Sequence, residues 1–88
     1  MNSSRTFRFS KEAYEQFVNW AKEDKKVFFR IADLIEEARR TPFTGKGKPE
    51  PLKHQYKGAW SRRITDEHRF IYEVTEDEIR VLSLKDHY

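Results

Sequence analysis

The glycines and prolines of this chain are confined to one short stretch in the middle of the sequence. All three glycines and all three prolines of the 88 residues lie between Pro42 and Gly58. Glycine and proline are the residues that most often interrupt helices and strands. Their position therefore predicts two ordered halves joined by a loop of about 17 residues.

The half before the loop predicts one strand followed by two helices. Residues 5–9 alternate between polar and apolar, as a half-buried strand does. Ser10 and Asp24 stand where helix N-caps are expected, and each precedes apolar residues spaced three or four apart. The second helix must end by Thr41, because the residue before a proline avoids the helical conformation. Two helices joined this tightly predict an antiparallel hairpin.

The half after the loop alternates with a period of two, which is typical of strands. Three strands are predicted, at residues 60–65, 68–74 and 79–84. The order β-α-α-β-β-β predicts an α+β fold in which the helix hairpin packs on one face of a small antiparallel sheet. We expect a single domain over residues 1–88, because a chain of this length has too few apolar side chains for two cores.

The length of the first turn between these strands decides where two arginines point. Ile64 and Phe70 are apolar and are both expected to face the core. They can do so only if the turn holds an odd number of residues, such as 66–68. Arg63 and Arg69 then share the open face of the sheet, whereas a two-residue turn would separate them.

The residue types present exclude several kinds of function. The chain has no cysteine, so it can form neither a disulfide nor a thiol nucleophile, and its three histidines are scattered. We therefore expect no metal and no cofactor. The first residues contain no apolar stretch of signal-peptide length, and the sequence has no run of about 18 apolar residues that would span a bilayer, so secretion and membrane insertion are not expected. The expected location is the cytoplasm.

Positive charge is concentrated in the middle of the chain. Residues 42–69 contain seven basic and three acidic residues, whereas residues 70–88 contain two basic and five acidic ones. This distribution indicates an anionic partner such as nucleic acid. A surface that only keeps the protein in solution would give the same distribution.

One carboxylate, Glu50, stands among the four lysines of the loop. Metal-free cleavage of RNA needs a base that takes the proton of the 2′-hydroxyl, cations that stabilise the charged phosphorane, and an acid that protonates the departing 5′-oxygen. Glu50 can be the base, and the prolines on both sides restrict its backbone. Loops of this length are usually functional or disordered.

The remaining groups for such a reaction occur in the second half of the chain. Arg63 and Arg69 can form forked hydrogen bonds to phosphate oxygens, with Lys53 as a mobile point charge. His87 can donate a proton near neutral pH. Tyr88 can bind phosphate or stack on a base.

Each of these residues also has an ordinary structural explanation. The loop can be a solvated basic segment with an incidental acid. Arg63 can pair with an acid on a neighbouring strand, and His87 can be a frayed chain end. Glu67 can orient a neighbouring arginine or have no role. His54 and His68 are interpreted as loop residues without a catalytic role.

Four stretches of the sequence resemble the YoeB/Txe toxins of the RelE superfamily. These stretches are TPFTGKGKPEPLKH (Thr41–His54), GAWSRRIT (Gly58–Thr65), EHRFIY (Glu67–Tyr72) and the terminal His87-Tyr88. The resemblance implies the β-α-α-β-β-β fold and a ribosome-dependent endoribonuclease. Such an enzyme cleaves mRNA in the ribosomal A site, inhibits translation and needs no metal.

The same resemblance implies roles for individual residues. Glu50 matches the general base, Arg69 the arginine that stabilises the phosphate, and His87 the general acid. Tyr88 matches the terminal tyrosine that completes the site. The supporting positions are matched by Lys53, Arg63 and Glu67. The implied partners are mRNA, the ribosome, an antitoxin of the YefM type and a second copy of the toxin.

Two other functions are open at this point. A non-catalytic module could use the same fold and basic loop to block a macromolecule, as the gyrase-inhibiting ParE branch of the superfamily does. A degenerate toxin could be retained only to bind its antitoxin or to regulate transcription. The terminal His87-Tyr88 pair favours the nuclease, because blocking needs no proton donor.

Overall fold

The computed structural model describes residues 5–86 and has two helices packed on a five-stranded sheet. The elements are, in chain order, β1 (Thr6–Phe9), α1 (Lys11–Glu23), α2 (Lys25–Arg40), β2 (Glu50–Pro51), β3 (Ala59–Arg63), β4 (Arg69–Val74) and β5 (Glu78–Ser83). A short 3-10 helix, His54–Tyr56, lies between β2 and β3. The predicted α+β class is confirmed.

Both helices begin at the predicted caps. The side-chain oxygen of Ser10 accepts a hydrogen bond from the amide of Ala13 (3.0 Å), and that of Asp24 accepts one from Val27 (3.2 Å). Each bond satisfies an amide that has no partner within its own helix. Helix α2 ends at Arg40, as the following proline requires.

The sheet is mixed, and its strands are ordered β1-β5-β4-β3-β2. Strands β3, β4 and β5 form the predicted antiparallel meander, but β1 pairs in parallel with β5. A parallel neighbour needs a long crossover connection, which the two helices and the rest of the chain supply. The prediction of an antiparallel sheet is therefore wrong for β1, which is parallel to its neighbour. Alternation of polar and apolar residues identifies a strand but does not show the direction in which it pairs.

The segment between the halves is partly ordered along the edge of the sheet. Its two-residue strand, β2, pairs with β3. Backbone hydrogen bonds from Leu52 to Ala59 (2.8 Å) and from Arg63 to Gly47 (2.7 Å) extend this attachment on both sides. An edge strand tolerates prolines because one side of its backbone needs no partner in the sheet. Residues 47–52 are therefore held against β3.

The core lies between the helix hairpin and one face of the sheet. The buried residues that form it are Ala13, Ile31, Leu34, Ile35, Ala38, Ile64, Phe70, Tyr72, Ile79, Val81 and Leu84. The helices cover this face, so the opposite face of β2, β3 and β4 is the one available to a ligand. Within residues 5–86, neither helix is long and apolar enough to cross a membrane.

Candidate active site

Two arginines meet on the open face of the sheet, as the turn length predicts. Arg63 on β3 is the direct partner of Arg69 on β4. Opposed residues of antiparallel strands point to the same face. Ile64 and Phe70 are 1% and 0% exposed on the other face. The prediction that the two arginines share the open face is confirmed.

This pair of arginines is electrostatically unfavourable in the absence of an anion. Like charges directly opposite each other destabilise a pair of strands. Arg63 is exposed, and its side chain has no acidic partner within residues 5–86. The ordinary explanation, in which Arg63 pairs with an acid on a neighbouring strand, does not apply there. Two arginines at opposed positions of one face are suited to an anion such as a phosphodiester.

The arginines at the other side of the same face are neutralised. Arg80 on β5 lies 3.1 Å from Glu78 and 4.0 Å from Glu73, and Arg8 on β1 lies 3.6 Å from Glu78. Such exposed pairs contribute little stability, but they cancel charge locally. In the described part of the chain, the uncompensated arginines of this face therefore lie on β3 and β4.

Arg69 is held in place by the turn that precedes it. Its Nη1 donates hydrogen bonds to the carbonyl oxygens of Thr65 (2.7 Å), Asp66 (3.2 Å) and His68 (3.1 Å). No acceptor among residues 5–86 contacts its Nε or Nη2. A guanidinium anchored through one nitrogen can present the others to phosphate oxygens, and it loses little additional freedom on binding.

Strand β2 carries Glu50 to the same face, one strand away from Arg63. Glu50 is the partner of Ser61, which precedes Arg63 by two residues. Strand spacings of about 4.8 Å and rises of about 3.4 Å per residue put the Cα of Glu50 about 8 Å from that of Arg63 and about 12 Å from that of Arg69. A phosphodiester fits between side chains at these separations. The Glu50 side chain is exposed, and it makes no hydrogen bond or ion pair within residues 5–86.

The other two supporting residues, Lys53 and Glu67, lie at the margins of this face. Lys53 is exposed and follows β2 by two residues. It lines a shallow cavity of about 350 Å³ together with Leu52 and residues 54–56. Glu67 lies in the turn between β3 and β4, with its side chain 86% exposed and 3.8 Å from Nε2 of His68. It forms no ion pair with an arginine in the described part of the chain.

His87 and Tyr88 lie outside the described residues, but the chain that leads to them is well defined. The amide of Asp86 donates a hydrogen bond to Nδ1 of His68 (2.9 Å). The carbonyl of Asp86 accepts one from the backbone amide of Arg69 (2.8 Å). The carbonyl end of Asp86, from which the chain continues to His87, therefore lies beside the backbone of Arg69.

Arg62 is an important residue that the sequence analysis missed. It alternates with the open-face residues of β3, so its side chain enters the core, where the residue is 0% exposed. Nε donates to the hydroxyl of Tyr72 (3.0 Å), and Nη1 donates to the carbonyl of Lys46 (2.9 Å). Nη2 donates to the carbonyls of Thr41 (2.5 Å) and Thr44 (2.9 Å). An arginine at an inward-facing strand position is the signal that could have revealed it.

These contacts hold the start of the loop that leads to Glu50. The hydroxyl of Tyr72 adds a hydrogen bond to the carbonyl of Pro42 (2.8 Å). At Gly47, φ is +82°, and a Cβ there would lie 3.0 Å from that of Arg62, so any other residue would be strained at this point. The buried guanidinium thus connects the core to the loop.

Among residues 5–86, no group of three or more acidic or histidine side chains could hold a metal ion.

The Tyr72 hydroxyl should make the stability of the protein sensitive to alkaline pH. Burial raises the pKa of this phenol above its ordinary value of 10.0, although the hydrogen bond from Arg62 opposes the shift. The unfolded chain therefore loses this proton at a lower pH than the folded protein does. The stabilisation is complete below about pH 10 and is lost as the pH rises through the folded pKa.

We expect the free energy of unfolding to fall more steeply above about pH 10 in the wild type than in Tyr72→Phe. At neutral pH the variant should be less stable by about 1–2 kcal/mol, because it lacks two hydrogen bonds of the hydroxyl. Urea unfolding between pH 7 and pH 11 measures both effects. Parallel pH profiles for the two proteins would contradict the assignment.

Comparison with known proteins reveals similarity over nearly the whole chain. Residues 9–88 match the sequence model of the YoeB-like toxins of bacterial type II toxin-antitoxin systems. The chain is 49% identical over 80 residues to toxin YoeB of Escherichia coli K12. The aligned residues cover 91% of this chain and 95% of that protein.

Solved structures agree with this match. The YoeB dimer of Staphylococcus aureus has a TM-score of 0.89 and 37% identity, covering 97% of this chain and 99% of that one. The YoeB-YefM complex of the same species has a TM-score of 0.87 and 36% identity, covering 96% and 98%.

Proposed function

The chain belongs to the YoeB-like toxins of bacterial type II toxin-antitoxin systems, and from this we propose that it is an endoribonuclease that cleaves mRNA in the ribosomal A site. It would act in the cytoplasm and inhibit translation. The 2′-hydroxyl attacks the adjacent phosphorus, and the bond from phosphorus to the 5′-oxygen breaks. The products are a 5′-hydroxyl end and a 2′,3′-cyclic phosphate, which becomes a 3′-phosphate when water hydrolyses it.

The observation that carries this proposal is the arrangement of Arg63, Arg69 and Glu50 on one open face of the sheet. Two opposed guanidinium groups without an acid between them favour a bound phosphate, and a carboxylate one strand away can reach the hydroxyl beside it. A module that only blocks its partner needs no proton acceptor at this position. The geometry therefore supports the nuclease over a purely binding role.

Proton transfer is assigned to residues on opposite sides of the scissile bond. Glu50 takes the proton of the 2′-hydroxyl, and His87 gives a proton to the departing 5′-oxygen. Tyr88 completes the site by contacting the phosphate or a base. Each acid or base of this kind typically accelerates a reaction about 10²- to 10⁴-fold.

Charge stabilisation is assigned to the cations around the phosphate. Arg69 donates hydrogen bonds to the phosphorane oxygens from a guanidinium that is already anchored, and Arg63 assists from the adjacent strand. Lys53 supplies a mobile positive charge at the margin. Glu67 supports the turn that carries Arg69. The reaction assigned to these groups uses no metal.

We assign two kinds of protein partner by analogy with the Staphylococcus aureus structures. One is an antitoxin of the YefM type, as in the complex from that species. The other is a second copy of the chain, as in the YoeB dimer. An acidic antitoxin segment that covers the Arg63 and Arg69 face would match its charge and exclude mRNA.

Mapping of RNA 5′ ends after expression of the protein tests the proposal. New ends should appear within codons when ribosomes translate the message, and they should be absent for His87→Ala, which lacks the proposed acid. His54→Ala is a matched control, because His54 is an exposed histidine of the short 3-10 helix with no assigned catalytic role, so its replacement should leave cleavage unchanged. Unchanged cleavage by His87→Ala would exclude the mechanism. Absence of cleavage by the wild type, together with inhibition of DNA supercoiling by gyrase, would support the ParE-like alternative.

A further inference from the structure

His68 has an environment that an ordinary turn residue does not have. Its side chain is only 14% exposed, although it lies between β3 and β4. The ring packs edge-on against Trp20 of α1, with ring centroids 5.0 Å apart. Its Nδ1 accepts the hydrogen bond from the amide of Asp86 at 2.9 Å. The interpretation of His68 as a plain loop residue therefore overlooked a contact between three parts of the fold.

The segment that contains Asp86 is also anchored at Leu84, two residues earlier. The amide of Leu84 donates to Oε1 of Gln16 (2.6 Å), and its carbonyl accepts from Nε1 of Trp20 (2.9 Å). The carbonyl of Asp86 is held by the backbone amide of Arg69 (2.8 Å). Residues near a chain end are usually poorly ordered unless they are tied down. Here both α1 and the start of β4 tie the segment.

The backbone at Asp86 is held in a conformation that few residues adopt without support. Its φ is +61°, in the left-handed region, which costs free energy for most residues with a Cβ and less for Asp than for others. Such conformations persist where surrounding contacts enforce them, and they cluster at functional sites. The hydrogen bonds on both sides of Asp86, from Arg69 and to His68, are the contacts that enforce it.

We propose that His68 is a positioning residue, whose imidazole holds Asp86, the residue before His87, in a defined place beside Arg69. The proposal rests on the function proposed above, in which His87 is the general acid. A proton donor must come within about 3 Å of its acceptor, and a misplacement of about 1 Å can cost about 10² in rate.

The hydrogen bond also identifies Nδ1 as the accepting nitrogen of His68. Nδ1 can accept the Asp86 amide only if the imidazole is neutral and carries its proton on Nε2. The carboxylate of Asp86 lies 4.0 Å from Nδ1, and that of Glu67 lies 3.8 Å from Nε2. This gives Glu67 a supporting role through His68.

Two substitutions separate the hydrogen bond from the packing of the ring. His68→Phe keeps an aromatic ring against Trp20 but has no acceptor for the Asp86 amide. His68→Asn is smaller, but its Oδ1 can take the place of Nδ1 as the acceptor. If the hydrogen bond positions the segment, Asn should perform better than Phe. If packing alone matters, the order should be reversed.

The first readout is hydrogen exchange of the Asp86 amide in the full chain, which requires no catalytic activity. We expect exchange at least about tenfold faster in His68→Phe than in the wild type, and close to wild type in His68→Asn. Amides of β4 serve as an internal control for global stability. Equal Asp86 exchange in the wild type and His68→Phe would overturn the proposal. If His68→Phe does not fold, His68→Leu replaces it, with the same expected loss of protection.

The second readout is the cleavage of mRNA on programmed ribosomes. We expect kcat to fall about 10- to 100-fold in His68→Phe with KM nearly unchanged, and to recover in His68→Asn. A wild-type kcat in His68→Phe would overturn the positioning role while leaving the nuclease assignment intact. If the wild type does not cleave, the proposed function fails, and faster Asp86 exchange in His68→Phe would then support only the contact itself.

Discussion

Replacing Glu50 by glutamine is expected to lower the single-turnover rate of mRNA cleavage on ribosomes by about 10²- to 10⁴-fold. The amide has nearly the same size as the carboxylate, and the backbone pairing of β2 with β3 does not involve the side chain. The variant therefore keeps the loop in place but cannot take the proton of the 2′-hydroxyl. The measurement is the rate at which labelled mRNA is cut in programmed ribosomes under saturating toxin.

Glu73→Gln is the matched control for this experiment. Glu73 lies on β4, on the same face of the sheet, but at the side where Arg80 neutralises it at 4.0 Å. Its replacement makes the same change of charge without touching the proposed base, so the cleavage rate should stay near that of the wild type. An equal loss in both variants would attribute the effect to the charge of the surface. No loss in Glu50→Gln would remove the general base from the mechanism.

Replacing Arg62 by methionine is expected to lower the free energy of unfolding by about 3 kcal/mol. The variant leaves the buried hydroxyl of Tyr72 without its donor and releases the carbonyls of Thr41, Thr44 and Lys46. Water can reach those carbonyls at the surface of the loop, which keeps the cost below the sum of four buried losses. Small domains have only about 5–15 kcal/mol in total, so the change should be large in urea unfolding.

Arg63→Met on the same strand provides the comparison. Arg63 is exposed and opposes another arginine, so its loss should change the free energy of unfolding by less than about 0.5 kcal/mol or increase it slightly. In Arg62→Met, the Leu52 amide, which donates to Ala59, should also exchange faster, because the loop is attached less firmly. Equal stability of the two variants would show that the buried guanidinium is not what holds the loop.

Patterns within short stretches of sequence were sufficient for much of the fold. The caps Ser10 and Asp24 and the odd-numbered turn that brings Arg63 opposite Arg69 depend on residues a few positions apart. Alternation and helical spacing are local properties of a polypeptide, so they can be interpreted without knowing how the chain closes. The charged residues of the site were likewise visible, although no local pattern shows which of them meet.

The tertiary structure decided what depends on distant parts of the chain. Arg62 bonds to the carbonyl of Thr41, 21 positions away, and His68 to the amide of Asp86, 18 positions away. The parallel pairing of β1 with β5 and the attachment of β2 to β3 are of the same kind. By itself the sequence determined the elements, their order and the charges they carry. Only folding decided which backbone groups hydrogen-bond to those side chains. A buried polar group has no access to water, so it must pair with whatever group the packed chain brings within reach.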